Sequence, residues 1–225
     1  MNEFTAFRTI GTTAIQQRVD PGALRQYLRA HTAEVHGRLD ARFGDFSGSQ
    51  IIQSYHRFIR MNLLAHHGVA AFFEIVGAAE TVPDAAEAAL KQAIETGLNH
   101  LEDDCAAMQL DCPPARGFAL APCGTSEMAG LAYVLEGSRL GARFIYRRLE
   151  KSGLVGKHEG EVSSSYLRST FDGEDRQPGA FDIIGGMEEA VIEEQALRAA
   201  LATFALFERS LDRVVAHEGG KEPVQ

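Results

Sequence analysis

The chain has 225 residues, of which 45% are hydrophobic and 24% are charged, so it can bury a sizeable core as a single domain. A formal net charge of -9 argues against nucleic acid and anionic membranes as main partners, because the average field would repel both. There is no apolar run of about 18 residues and no apolar N-terminal segment, so we expect a cytoplasmic protein without a membrane span or signal peptide. The three cysteines lack a CxxC spacing, which indicates neither a disulfide framework nor a thiolate zinc site.

Helical periodicity of apolar residues runs along most of the chain, without a useful strand-like alternation or an internal repeat. The predicted helices are residues 21–43, 51–76, 83–108, 126–151, 164–169 and 188–215. Asp20 before Pro21 is a typical helix start. Ser47 and Gln50 form a capping-box signature for the second helix, which we expect to end at Gly77.

This pattern predicts an all-α, single-domain, multi-helical bundle over residues 19–217. We expect residues 1–18 to form a poorly ordered N-terminal extension and residues 218–225 to form a C-terminal tail. The segment 153–179 is polar and rich in glycine, and we expect only one short helix within it.

Two glycines, Gly137 and Gly141, interrupt the fourth long predicted helix at i and i+4. Each costs about 1 kcal/mol of helix stability relative to alanine, and both lie on the same face. The result is a strip without side chains, along which another group can approach the backbone closely. That group is either another helix or a flat ligand.

Polar residues interrupt the apolar stripe of the second helix at Asn62 and His66. Buried polar groups need hydrogen-bond partners, so the two side chains form either a satisfied internal pair or the lining of a polar pocket that holds ordered water. In the first helix, His36 lies at the edge of the apolar stripe beside Thr32, with Arg29 two turns earlier, about 10 Å along the axis. A histidine at such a boundary is most often structural, but this arrangement also suits a ligand with a metal centre and a carboxylate at its rim.

Two of these segments carry a resemblance to a known family. The run RAHTAEVHGRLD, residues 29–40, resembles the proximal helix of heme oxygenases. The run YVLEGSRLGARF, residues 133–144, resembles the distal helix of the bacterial, biliverdin-producing heme oxygenases, including those that serve bacteriophytochromes. The order and separation of the two motifs also agree, and a looser likeness extends from about residue 20 to 215.

The resemblance implies the heme oxygenase type of helical bundle and the O2-dependent cleavage of heme to biliverdin, Fe(II) and CO. Heme b is then both cofactor and substrate. Electrons come from an external ferredoxin or reductase, and the chain has no flavin or nicotinamide motif of its own. A bacteriophytochrome is a candidate acceptor of the biliverdin.

Carried to single positions, the resemblance makes His36 the proximal ligand of the heme iron and makes Gly137 and Gly141 backbone contacts of the distal heme face. The positions that it assigns to heme contacts are Arg29, Thr32, Tyr133, Arg148 and Phe207, of which the two arginines and the tyrosine face the propionates. The positions that it places near a distal water network, which supplies protons for oxygen activation, are Ser138, Asn62 and His66.

The sequence also departs from the family. Ser138 stands where the animal enzymes carry an aspartate, and the chain has no tryptophan, although many relatives carry one in the segment corresponding to residues 177–186. Alternatives are a heme storage protein of the same fold and another enzyme on this scaffold, either a thiaminase-like hydrolase or a di-iron oxidase. For a hydrolase, Cys105 is the candidate nucleophile, and for metal binding we interpret His100, Asp103 and Asp104 as a solvated helix end.

A row of basic residues follows the distal motif: Arg139, Arg143 and Arg147 at i, i+4 and i+8, with Arg148 adjacent. Such a row is usually a solvated face. The functional alternative is a docking surface for an acidic electron donor.

Overall fold

The structure is a computed structural model that describes residues 21–44, 46, 48–75, 80–120, 123–156, 160–171, 178–186 and 191–220. Within these ranges the helices are α1 (Pro21–Ala41), α2 (Ile51–Ile75), α3 (Asp84–Ala107), α4 (Thr125–Lys151), α5 (Ser165–Ser169), α6 (Ala180–Gly185) and α7 (Glu193–Gly219). A short 3-10 helix, Gly48–Gln50, precedes α2. No strand occurs in the described ranges, and the predicted all-α class is confirmed.

The first four long helices begin and end within about two residues of their predicted bounds, because each carries a continuous apolar stripe. Two predictions further along the chain differ from the structure. Helix α6 was not predicted, and α7 begins at Glu193 rather than 188 and continues to Gly219 rather than 215. The predicted caps at Asp20, Ser47 and Gly77 lie outside the described residues, as does the extension 1–18.

Helix α6 depends on contacts from elsewhere in the chain. Its six residues bury Ala180, Phe181 and Ile184, and the Phe181 backbone N–H donates to Glu136 Oε1 of α4 at 3.2 Å. A segment this short does not hold a helix by local propensity. Tertiary packing therefore forms it, which explains why its glycine-flanked sequence predicts a connection.

Two ion pairs give the direction of α1 relative to α7. Arg38 and Arg42 of α1 pair with Glu208 and Asp212 of α7 at 2.8 and 2.7 Å, so α1 and α7 run in the same direction.

Helix α4 also runs in the direction of α7. Near its start, Ser126 Oγ accepts the Ile192 N–H at 2.9 Å, and one turn later Gly130 packs against Ala196 and Ala199. A methyl group at Gly130 would overlap the Ala196 carbonyl, so this glycine permits close helix packing. Helices α1 and α4 consequently run in roughly the same direction.

The hydrophobic core lies between α7 and the surrounding helices, with Tyr55, Phe72 and Phe181 among its fully buried side chains. Helix α2 runs opposite to α7, since its residue Arg57 pairs with Glu218 while His66 contacts Phe207. Among the described helices, none is long and apolar enough to cross a membrane.

Candidate functional site

Helices α1 and α4 meet at a polar contact, and the region past that contact, beside His36 and Gly137, is called the α1–α4 cleft. The Thr32 hydroxyl, which donates to the Leu28 carbonyl at 2.7 Å, lies 3.5 Å from the Tyr133 hydroxyl. His36 follows Thr32 by one turn, and Gly137 follows Tyr133 by one turn. Because the two helices run in roughly the same direction, His36 and Gly137 lie on the same side of this contact.

The glycine strip of α4 faces open space. A methyl group at Gly137 or Gly141 would meet no described heavy atom within 4 Å, whereas one at Gly130 of the same helix would overlap backbone. The strip therefore does not serve a helix contact within the described residues. Of the two explanations for it, the structure leaves room for the flat ligand.

His36 is held in an orientation that suits a metal ligand. Its Nδ1 lies 3.0 Å from Asp40 Oδ2, one turn later, and 58% of its side chain is exposed. Its ring packs edge-to-face on Phe204, with the centroids 5.8 Å apart. When the carboxylate accepts the Nδ1 proton, the Nε2 lone pair remains available, which is the usual arrangement of metal-binding histidines.

The electrostatics of His36 follow from the same pair. The hydrogen bond to Asp40 raises the pKa of the imidazole, partial burial opposes this, and the charge of Asp40 adds to the rise. A carboxylate partner that raises this pKa also makes the neutral ring a more basic ligand.

Three predicted propionate contacts lie on α1 and α4. Arg29 is exposed and makes no ion pair with the described residues. Arg148 is half-buried with its guanidinium over the Phe144 ring, 5.0 Å from the centroid. Tyr133 is half-buried against Phe181, with ring centroids 6.1 Å apart. Of the two arginines, Arg29 is therefore the one whose charge no described group already engages.

Asn62 and His66 form a buried hydrogen-bonded pair. Asn62 Nδ2 donates to the Phe58 carbonyl, and His66 Nδ1 donates to the Asn62 carbonyl, each at 2.8 Å. The Tyr166 hydroxyl donates to Asn62 Oδ1 at 3.4 Å. Burial, with smaller contributions from positive charges nearby, lowers the pKa of His66 to about 4, so its ring is neutral at pH 7.

Tyr166 connects this pair to the distal motif. Its buried hydroxyl lies near Ser138, and burial raises the pKa of the phenol despite the opposing effect of that serine. The Ser138 hydroxyl donates to the Leu135 carbonyl at 2.7 Å. Sequence reasoning missed Tyr166, since one tyrosine in a five-residue helix gives no periodic signal.

Asp104 fixes the position of Tyr166. This carboxylate is completely buried and accepts hydrogen bonds from Ser163 Oγ at 2.5 Å, from the Ser165 N–H at 2.7 Å and from the Tyr166 N–H at 3.0 Å. The prediction that Asp104 belongs to a solvated helix end is therefore wrong. Its neighbour Asp103 is exposed, as predicted for both.

A small cavity of about 30 Å³ lies beside His66. His66, Glu136, Arg139 and Tyr166 contribute polar groups to its lining. This volume is enough for about one or two water molecules, and the site offers them several partners. Both interpretations therefore hold for His66, which is hydrogen-bonded internally and also borders this cavity.

Among solved structures, the chain is similar to the heme oxygenase of Neisseria meningitidis, known in NO-bound and CO-bound forms. The TM-score is 0.53 and the sequence identity 18%, over 86% of this chain and 92% of that chain. This chain has the heme oxygenase fold. No protein-family model and no curated protein matches it. At this identity the likeness shows the fold, and the roles of single residues rest on the geometry of the site.

Within the heme oxygenase fold, the residues of the α1–α4 cleft fit a heme. On α1, His36 offers a free ring nitrogen. On α4, the space beside Gly137 and Gly141 is open, and side chains at these positions would fill it. Arg29 supplies a positive charge on the same helix as His36 for an anionic rim. The predicted contact Phe207 is 3% exposed and lies against His66, with centroids 6.5 Å apart.

The arginine row on α4 of this heme oxygenase fold has two different uses. Arg139 Nη2 donates to the Ser169 carbonyl at 3.1 Å, and Arg143 Nε donates to the Thr170 carbonyl at 2.8 Å. These two arginines therefore bind the carbonyl end of α5. Arg147 is exposed, so the outer part of the row remains on the surface.

Cys105 is the candidate nucleophile of the hydrolase alternative, and the side chain that it contacts is the thiol of Cys112. Its Sγ lies 3.8 Å from Cys112 Sγ, and this contact together with burial raises its pKa, which keeps the thiol neutral. In the described part of the chain, no three His, Cys, Asp or Glu side chains are grouped as a metal site would require.

Proposed function

We propose that the chain is a heme oxygenase that cleaves heme b with O2 to biliverdin, Fe(II) and CO, using electrons from an external donor. The observation that carries this proposal is the pairing of His36 with a bare glycine strip, each one turn past the Thr32–Tyr133 contact on its own helix. Similarity to the fold of the Neisseria enzyme supports it. When bound, the heme supplies the iron for oxygen activation and the macrocycle that is oxidised.

His36 would hold the iron through Nε2. Asp40 keeps the Nδ1 proton in place, which fixes the tautomer and the direction of the ring. Phe204 packs edge-to-face on the same ring and restricts its rotation. Together these contacts preorganise His36 as a ligand of the iron.

Gly137 and Gly141 would let the heme face lie close to the backbone of α4. Side chains at these positions would occupy the space that a flat ligand needs. Arg29 would bind a propionate, because an acidic protein needs a local cation to hold an anionic group.

Ser138, Tyr166 and His66 would relay protons through water in the adjoining cavity. His66 is neutral at pH 7, with a pKa of about 4, and the raised pKa of Tyr166 keeps its hydroxyl protonated. None of the three is then a strong acid, and hydrogen-bonded water can carry a proton between them. This supports the distal assignment of Ser138, Asn62 and His66.

An acidic redox protein, a ferredoxin or a reductase, would dock on the exposed end of the arginine row. Arg147 is exposed, and Phe144, whose ring stacks under Arg148, is 53% exposed. Arginine and aromatic side chains are common at binding surfaces, and positive charge steers an acidic partner. A bacteriophytochrome as acceptor of biliverdin belongs to the same proposal.

A hemin titration tests the central ligand. The complex is expected to show a Soret band that His36→Ala abolishes or shifts. The matched control is His31→Ala, because His31 is an exposed histidine on the same helix and bonds the Tyr27 carbonyl at 2.8 Å. An unchanged spectrum in His36→Ala, or an equal change in both variants, would remove His36 as the ligand.

A further inference from the structure

A second cavity, of about 400 Å³, opens beside α5 and is separate from the α1–α4 cleft. The described residues that form its polar lining are His100, Ser163, Ser164, Ser165, Arg168 and Ser169. None of these residues belongs to α1 or α4. The volume falls in the range of small-molecule sites.

Ser164 contributes an available hydroxyl to this lining. It is 8% exposed, and its hydroxyl makes no hydrogen bond with any described residue, not even as a cap of α5. This hydroxyl is not one of the fully buried atoms without a partner, so solvent in the cavity reaches it. A ligand in the cavity that this residue borders would satisfy it.

Two further donors share the lining. Arg168 is exposed and forms no ion pair with the described residues, so its charge is available. His100 Nδ1 lies 2.7 Å from Ser165 Oγ. If the serine donates, the imidazole keeps an Nε2–H, and if the imidazole donates, the serine hydroxyl is free, so the pair always retains one donor.

The acceptors of the lining are largely occupied. Asp104 is completely buried behind Ser163 and already accepts three hydrogen bonds, from Ser163, Ser165 and Tyr166. Ser169 donates its proton to the Tyr166 carbonyl at 2.8 Å. Among the described residues, the cavity therefore presents donors and one guanidinium, which suits an anion rather than a cation.

We propose that this cavity binds a small molecule through a phosphate group, held by Arg168, Ser164 and the His100–Ser165 pair. Three separate donor groups match the three terminal oxygens of a phosphate monoester, whereas a carboxylate has two. Such a site lies outside the heme oxygenase reaction proposed above.

The experiment is a titration of the full-length, heme-free protein with inorganic phosphate, followed by calorimetry at constant ionic strength. Saturable binding at one site is expected, and Arg168→Gln should weaken it by about tenfold or more, since a charge-assisted contact is lost. Ser164→Ala should also weaken it. Arg198→Gln is the matched control, because Arg198 is exposed on α7 and has the same charge.

Three results would overturn the proposal. These are the absence of saturable binding, an equal loss of affinity in Arg198→Gln and Arg168→Gln, and acetate binding as tightly as phosphate. The last result would assign the cavity to carboxylates. Because Arg168 is exposed, its variant reports on the site even if Ser164→Ala folds poorly. Hemin is not present, so the outcome is independent of the proposed heme oxygenase activity.

Discussion

Replacing both Gly137 and Gly141 with alanine is expected to make the heme-free protein more stable. Neither residue has a positive φ, and neither added methyl group would meet a described atom within 4 Å. Each substitution should therefore contribute the full difference in helix propensity, about 1 kcal/mol, or about 2 kcal/mol together. For a chain of this size, that corresponds to a rise in Tm of about 4–8 °C.

Gly130→Ala on the same helix is the matched control. Its methyl group would overlap the Ala196 carbonyl, and backbone cannot move aside as the end of a side chain can. We expect this variant to lose about 1–3 kcal/mol despite the same gain in propensity. Thermal and urea unfolding, followed by far-UV circular dichroism, measures the stability of the heme-free wild type, the double variant and Gly130→Ala.

The same double variant should bind hemin more weakly, by about tenfold or more, because its methyl groups occupy the strip beside which the heme face would lie. Greater stability with weaker binding is the expected combination. A loss of stability would show that the strip packs against protein. Undiminished hemin affinity would show that the glycines do not face the heme.

Two further predictions concern the buried polar groups. The pKa of His66 is about 4 in the folded protein against 6.5 ordinarily, with His67 and Arg139 adding to the effect of burial, so the unfolded chain binds the proton more readily. The folded state therefore keeps its full free energy of unfolding above pH 6.5 and loses about 3 kcal/mol of it as the pH falls from 6.5 toward 4. The free energy of unfolding of His66→Gln should fall less over that range. An equal pH dependence of the free energy of unfolding in the wild type and in His66→Gln would contradict this. The free energy of unfolding of Asp104→Asn, measured in urea, should fall by about 2–4 kcal/mol, because an amide cannot accept from all three donors. The value for the exposed Asp103→Asn should stay near that of the wild type. Similar losses in the two variants would refute the role of Asp104.

The long helices could be predicted from the sequence because their signal is local. Residues three and four apart determine whether a stripe is apolar, and α1 to α4 carry such stripes. Helix α6 could not be predicted, since Glu136, 45 positions away from Phe181 in sequence, stabilises its start. The beginning of α7 similarly depends on Ser126 of α4.

The candidate site divides in the same way. His36 and the two glycines stand out within single helices, where spacing alone indicates a shared face. Tyr166 and Asp104 do not, because their roles depend on hydrogen bonds between segments about 60 residues apart. Arg139 is a different case, since its regular spacing indicated a solvated face, with a docking surface as the alternative, yet it donates to the Ser169 carbonyl at the end of α5.

Turnover of the hemin complex under air, with ferredoxin and ferredoxin reductase as electron source, tests the central claim most directly. The proposed heme oxygenase activity predicts that the Soret band decays while the absorbance of biliverdin rises, and that His36→Ala prevents both. A Soret band that persists while electrons are delivered, with no biliverdin formed, would contradict the claim and make the chain a heme-binding protein without turnover.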